Sequence, residues 1–184
     1  HKEKGPSAAT VADVTFRPAE EADLVRATGD PALCVNAAGA GPVSAEWMIP
    51  KALWLARHEP ALFEQAVTVC EYQDCLNLHL TGRRTASINN AAIRWHYRSS
   101  AGGYARTLLE ALGIGDLLGK WPQEVIRLGD VIGPLTPQAA AHLGLKAGLP
   151  VAQGGADAFV AMLGLGVVKP GALGTIKVTD PVPA

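Results

Sequence analysis

The chain has 184 residues, the size of one ordinary domain. Sixteen Lys and Arg against seventeen Asp and Glu leave a net charge of −1, which speaks against nucleic acid, and 48% hydrophobic with 18% charged residues is too apolar for a disordered chain. Three cysteines, an odd number in a chain of this length, argue against a disulfide scaffold and for a reducing compartment, expected to be the cytoplasm.

In chain order, Pro18 to Ala27 reads as a short helix, with Glu20 and Glu21 in its first turn and Gly29 past its end. Residues 28–43 read as loop, punctuated by Gly29, Pro31, Gly39, Gly41 and Pro42. Pro50 suits the first position of a helix over Lys51 to Arg57. Pro60 opens another, to about Ala66, and Val67 to Cys70 reads as a short strand. Asp74 to Leu80 is expected as a helix with Leu76 and Leu80 on one face and Gly82 as its stop. Thr85 to Asn90 reads as a polar loop, and Tyr104 to Leu112 as a helix with Leu108, Leu109 and Leu112 on one side.

Trp121-Pro122 breaks the pattern before a strand at Val125 to Leu128. Pro137 to Leu143 is a helix closed by Gly144, and Pro150 to Gln153 is a strand running into a glycine turn. Asp157 to Leu163 is an apolar helix, and Leu173 to Val178 is the last expected strand. Mixed short strands and helices ending in strand–turn–helix–strand indicate an α/β chain with a mostly helical insertion. The uncharged stretch between Asp157 and Lys169 is far short of the ~20 residues a membrane span needs. HKEKGPSAAT is basic with no apolar run behind it, so no secretory signal is expected, and His1 in place of Met implies an altered or missing start.

Chemistry concentrates at Gly154-Gly155-Ala156-Asp157-Ala158. Two glycines after a strand allow close approach of a backbone or a ligand. The acid that follows opens an apolar helix, whose dipole favours its ionised form, and it could take a proton from a substrate hydroxyl. By spacing alone, a simple N-cap is the commoner use of an acid there. Glu46-Trp47-Met48-Ile49-Pro50-Lys51 groups an acid, an aromatic ring and a cation at a helix start, where a lysine opposes the dipole. A solvated lysine lying over Trp47 is again the commoner use.

Cys70, Cys75 and His79 lack the tight cysteine pair and fourth ligand of a structural zinc, so no metal is expected. Arg94-Trp95-His96-Tyr97-Arg98 reads as a packed helix end or loop rather than a nucleic-acid contact. Gly164-x-Gly166 follows a helix instead of opening one, so it is no phosphate cradle.

An ordered set of motifs runs through the chain. It comprises Gly41-Pro-Val-Ser-Ala-Glu-Trp-Met-Ile-Pro-Lys51, Glu71-Tyr-Gln-Asp74, Leu80-Thr-Gly82, Ser87-Ile-Asn-Asn90 and Trp121-Pro122. It continues with Leu128-Gly129, Ile132-Gly133, Leu135-Thr136, Leu143-Gly144-Leu145, Gly148-Leu-Pro-Val-Ala152 and Gly154-Gly-Ala-Asp-Ala158. In this order they resemble the FGGY carbohydrate kinases, most closely the ribulokinase-like pentulose kinases.

The resemblance covers about Pro18 to Leu173 and implies an actin-like, ribonuclease H-like ATPase fold. It divides the chain into an atypical segment 1–17, part of the sugar-binding N-terminal domain at 18–173, and an atypical tail 174–184. The implied reaction is transfer of a phosphoryl group from ATP, with Mg²⁺, to a sugar hydroxyl. Asp157 stands where the family has its catalytic base, and Lys51 where the ribulokinases have a sugar contact; Glu46, Gly155 and Ala156 complete the implied substrate site. The partner implied is a small-molecule sugar, with no nucleic acid or membrane, and a homodimer is left open.

Nothing before Pro18 matches the family's first phosphate motif, and Asp13 to Arg17 match its sugar-binding strand poorly. Gly174-Thr175 does not continue into the family's phosphate loop. The expectation is a kinase fragment inactive on its own, with a non-catalytic sugar-binding or interaction lobe as the alternative.

Overall fold

The computed structural model describes residues 18–35 and 39–175. Helix α1 (Ala19–Ala27) packs on α2 (Met48–His58), and α3 (Pro60–Gln65) follows after one residue. Glu21 belongs to this contact rather than to solvent. It is 1% exposed and accepts from the Arg57 guanidinium at 2.6 Å, with His58 at 3.3 Å. Helix α2 begins two residues before Pro50, which its first turn tolerates because no intrahelical bond is asked of that nitrogen.

Helix α4 (Tyr72–Thr81) ends at Gly82, whose φ of +72° is the left-handed stop expected. Its orientation corrects the sequence reading. The inward face is polar (Asp74, Asn77, Thr81), while Leu76 is half exposed. The segment 85–90, read as loop, is strand β1 (Thr85–Ser87) running straight into α5 (Ile88–Arg94). Conversely, 67–70 is not a strand. Its polar groups are met by Lys120, whose carbonyl accepts from the Val69 amide at 3.0 Å and the Thr68 hydroxyl at 2.9 Å.

Helices α6 (Arg106–Ala111) and α7 (Leu117–Lys120) precede β2 (Glu124–Ile126), which pairs in parallel with β1, Ala86 opposite Val125. Strands β3 (Val131–Pro134) and β4 (Pro150–Ala152) form an antiparallel ladder with an irregularity between Val131 and Gly133. Between them, α8 (Pro137–Leu143) is capped by the Thr136 hydroxyl, which accepts from the Ala139 amide, and stops at left-handed Gly144, as expected. Helix α9 (Asp157–Gly164) closes the described chain. Half of the strand expected at 173–178 falls outside the described residues, and residues 172–175 form no regular element.

The core lies in the helical part. Val25, Ile49, Leu53, Leu108, Leu109 and Leu117 surround Trp95 and Trp121, whose rings are tilted with centroids 4.3 Å apart. The sequence Arg94 to Arg98 is thus a packed helix end, with Trp95 and His96 both 1% exposed. Among the described residues, no helix is long and apolar enough to cross a membrane.

Candidate active site

The turn 154–157 leaves β4 and delivers Asp157 as the first residue of α9, with Ala156 in extended conformation at the cap. Asp157 is exposed, and its Oδ1 accepts from the Ala158 amide at 2.7 Å. It is not the N-cap that spacing alone favours.

A polar network holds this turn. The Ser87 hydroxyl and the Gln153 amide group donate to the Gly154 carbonyl at 2.8 and 3.0 Å. The Ala156 amide donates to Asn89 Oδ1 at 3.0 Å, and its carbonyl accepts from the Phe159 and Val160 amides. Both backbone groups of Ala156 are therefore engaged within the protein.

The glycine pair makes room for protein neighbours. A Cβ on Gly155 would stand 2.6 Å from a Leu128 methyl and 3.1 Å from Asn89 Oδ1; one on Gly154 would meet the end of the Gln73 side chain at 2.3 Å. The end of the long Gln73 side chain can shift at the expense of its one bond from the Asn90 amide, whereas the Asn89 oxygen braces the Ala156 backbone. Gly155→Ala is therefore expected to destabilise the chain by about 1–3 kcal/mol, and Gly154→Ala by less. Equal urea midpoints for the two variants would remove this packing role.

The second group gathers around Lys51 on α2. Burial, then the Arg94 guanidinium, lower the Lys51 pKa; Glu71 and Glu46 act the other way. Glu71 is buried beside it, accepts from the Trp95 indole at 3.0 Å and lies 3.5 Å from Arg94. Burial raises the Glu71 pKa, opposed by Arg94, Trp95 and Lys51. Glu46 is exposed, its amide donating to the Ser44 hydroxyl at 3.2 Å.

Helix α5 joins the two groups. Asn89 in its first turn holds Ala156, and Arg94 at its last residue faces Glu71 and acts on Lys51. Five residues of helix carry their backbone positions about 7.5 Å apart along the axis and about 140° apart around it. Asn89, Glu71 and Arg94 were not singled out as site residues. The motif Ser87 to Asn90 carried Asn89, but its reading as loop hid the helix that aims it.

Residues 19–164 match the FGGY family of carbohydrate kinases, N-terminal domain. The chain belongs to this family. It is similar to the autoinducer-2 kinase of Escherichia coli K12, 36% identical over 123 residues, which are 66% of this chain and 22% of that protein. Among solved structures, the xylulose kinase of Rhodospirillum rubrum superposes with a TM-score of 0.71 at 31% identity, over 84% of this chain and 31% of that one. A Brucella ovis structure described as a xyloylose kinase gives 0.68 at 28%, over 85% and 31%.

This FGGY chain thus spans about a fifth of the curated relatives' length and about a third of the solved neighbours'. Its fold is α/β, part of an actin-like, ribonuclease H-like ATPase domain. FGGY kinases use ATP and Mg²⁺. The described residues contain no group of three or more His, Cys, Asp or Glu placed to hold a metal, and Gly164 is the last residue of α9, with Gly166 beyond it, rather than a phosphate cradle at its start.

Proposed function

We propose that this FGGY chain carries the acceptor side of an ATP-dependent kinase acting on a pentulose, with Asp157 as the base that orients the attacking sugar hydroxyl and takes its proton. The observation that carries the reading is the placement of Asp157 at an exposed helix start after a braced glycine turn. A carboxylate there is open to an incoming hydroxyl. Lys51 holds sugar oxygens at the other end of α5, with Glu46 beside it, while Gly155 and Ala156 shape the turn under the substrate.

On this reading the 184-residue chain alone shows no sugar-stimulated ADP release, since phosphoryl transfer needs ATP, metal and acceptor held in line. A chimaera with residues 19–164 in place of the matching segment of the Rhodospirillum rubrum enzyme is expected to release ADP with D-ribulose, L-ribulose or D-xylulose. A folded, ATP-binding chimaera inert with all three sugars would overturn the assignment.

In that chimaera, Lys51→Met is expected to raise the sugar KM or lower kcat/KM about ten- to a hundredfold, the worth of a charge-assisted hydrogen bond of roughly 1.5–3 kcal/mol. Unchanged kinetics would return Lys51 to a solvated role over Trp47.

A further inference from the structure

A second cleft, of about 530 Å³, lies away from this turn and takes no part in the proposed reaction. Its wall includes Gln123, the residue before β2, whereas Leu128, beyond the other end of β2, touches Gly155. Five residues of extended chain span about 16 Å, so the cleft and the glycine turn sit at opposite ends of the β1–β2 ladder.

His96 lines the cleft, 1% exposed, and among the described residues neither ring nitrogen has a partner at full hydrogen-bond geometry, the Ala32 backbone being the one polar group whose hydrogen bonding bears on the ring. Buried polar groups are nearly always paired, and each one left unmade costs free energy. The residue also holds a positive φ of 53°, which among the described residues is otherwise found at glycines. That conformation turns the chain back after α5 and is sparsely populated by residues with a side chain. Burial lowers the His96 pKa, against the Ala32 backbone and Asp30, so the ring is neutral and offers one donor and one acceptor.

Charge is also left over. Arg98 lines the cleft and donates to the Cys34 sulfur at 2.9 Å, a weak acceptor. Among the described residues it forms no ion pair, whereas Arg106, on the same cleft, faces Glu110 at 3.7 Å. Asp30 lines the cleft near His96, its Oδ1 accepting from the Ala32 amide. A guanidinium fork suits a carboxylate or phosphate, and an imidazole with a carboxylate suits hydroxyls.

We propose that this cleft binds a small polyol carrying one anionic group, with the anion on Arg98 and the hydroxyls on His96 and Asp30. A sugar acid and a sugar phosphate share this chemistry. The test is an NMR titration of the ¹⁵N-labelled 184-residue chain, following the His96 ring nitrogens and, as a marker of the glycine turn, the Asn89 side-chain amide. D-gluconate and D-ribose 5-phosphate distinguish the two sources of anion; ribitol and inorganic phosphate are the partial ligands.

The expected result is a saturable His96 shift with gluconate or ribose 5-phosphate while Asn89 stays put. Arg98→Gln is expected to weaken that affinity about ten- to a hundredfold, and Arg98→Lys by less. Arg98 is exposed, and unchanged thermal unfolding of both variants verifies the fold. The proposal is overturned by no His96 shift with either polyol anion, by equal affinity in Arg98→Gln, by a shift at Asn89 in place of His96, or by inorganic phosphate binding as tightly as ribose 5-phosphate.

Discussion

In the chimaera described above, Asp157→Asn is expected to lower kcat by about 10²–10⁴-fold, the usual worth of a general base, and to leave the sugar KM within a few-fold. The asymmetry follows from the geometry. Asn keeps the size of the side chain and an oxygen that can accept from the Ala158 amide, as Asp157 Oδ1 does at 2.7 Å. The turn itself is held by Ser87, Gln153 and Asn89, none of which bonds the carboxylate. What the substitution removes is the capacity to take a proton. Single-turnover measurements at saturating sugar separate this from a binding defect. A variant retaining near-parental kcat would place the base elsewhere, and a collapse in KM alone would make Asp157 a sugar contact.

The chain punctuation was largely legible in the sequence. Thr136-Pro137 before an apolar run and Gly144 after it specify α8, because a capping hydroxyl, a proline at the first helical position and a left-handed glycine each act locally. Gly82 and the strand–glycine–helix run to Asp157 were readable for the same reason. What failed was whatever depends on distant partners. Thr85 to Ser87 is polar and short, and becomes a strand through its parallel pairing with Glu124 to Ile126. Val67 to Cys70 has a β-like composition, yet the Lys120 carbonyl takes the Val69 amide and the Arg84 guanidinium donates to the Val67 carbonyl, in place of a neighbouring strand.

Helix α4 misled for a further reason. Apolar periodicity assumes that a helix buries its apolar face, but here Asp74, Asn77 and Thr81 face inward and serve the site. Asn77 donates to Gln153, and Asp74 accepts from the Ser87 amide. Of the site, the motifs located Asp157 and Lys51. The connecting helix and the buried Glu71–Arg94 pair emerged from folding, since 23 positions separate that pair in sequence.

The buried Asp74 is expected to make the stability of this chain fall as pH rises. Its Oδ1 accepts from the Ser87 amide at 3.2 Å, while Oδ2 is buried with no partner among the described residues. Burial, reinforced by Glu71, pushes its pKa up from 3.8 to about 7, against the pull of the Ser87 amide. Between about pH 4 and 7 the native carboxyl keeps its proton while the unfolded one has lost it. The native state then binds more protons, so unfolding free energy decreases with pH across that window and levels off above it. The displacement from 3.8 to about 7 corresponds to about 4 kcal/mol. Asp74→Asn abolishes this titration and keeps an oxygen for the Ser87 amide. Its amide nitrogen, in place of Oδ2, costs the same at every pH. Urea unfolding from pH 4 to 8 is therefore expected to give a steep decline for the parent chain and a flatter one for the variant. Glu71, whose pKa burial also raises, supplies the slope that remains. Parallel pH profiles would mean that Asp74 is ionised in the folded state, and that its orphaned oxygen is compensated by a group other than its own proton.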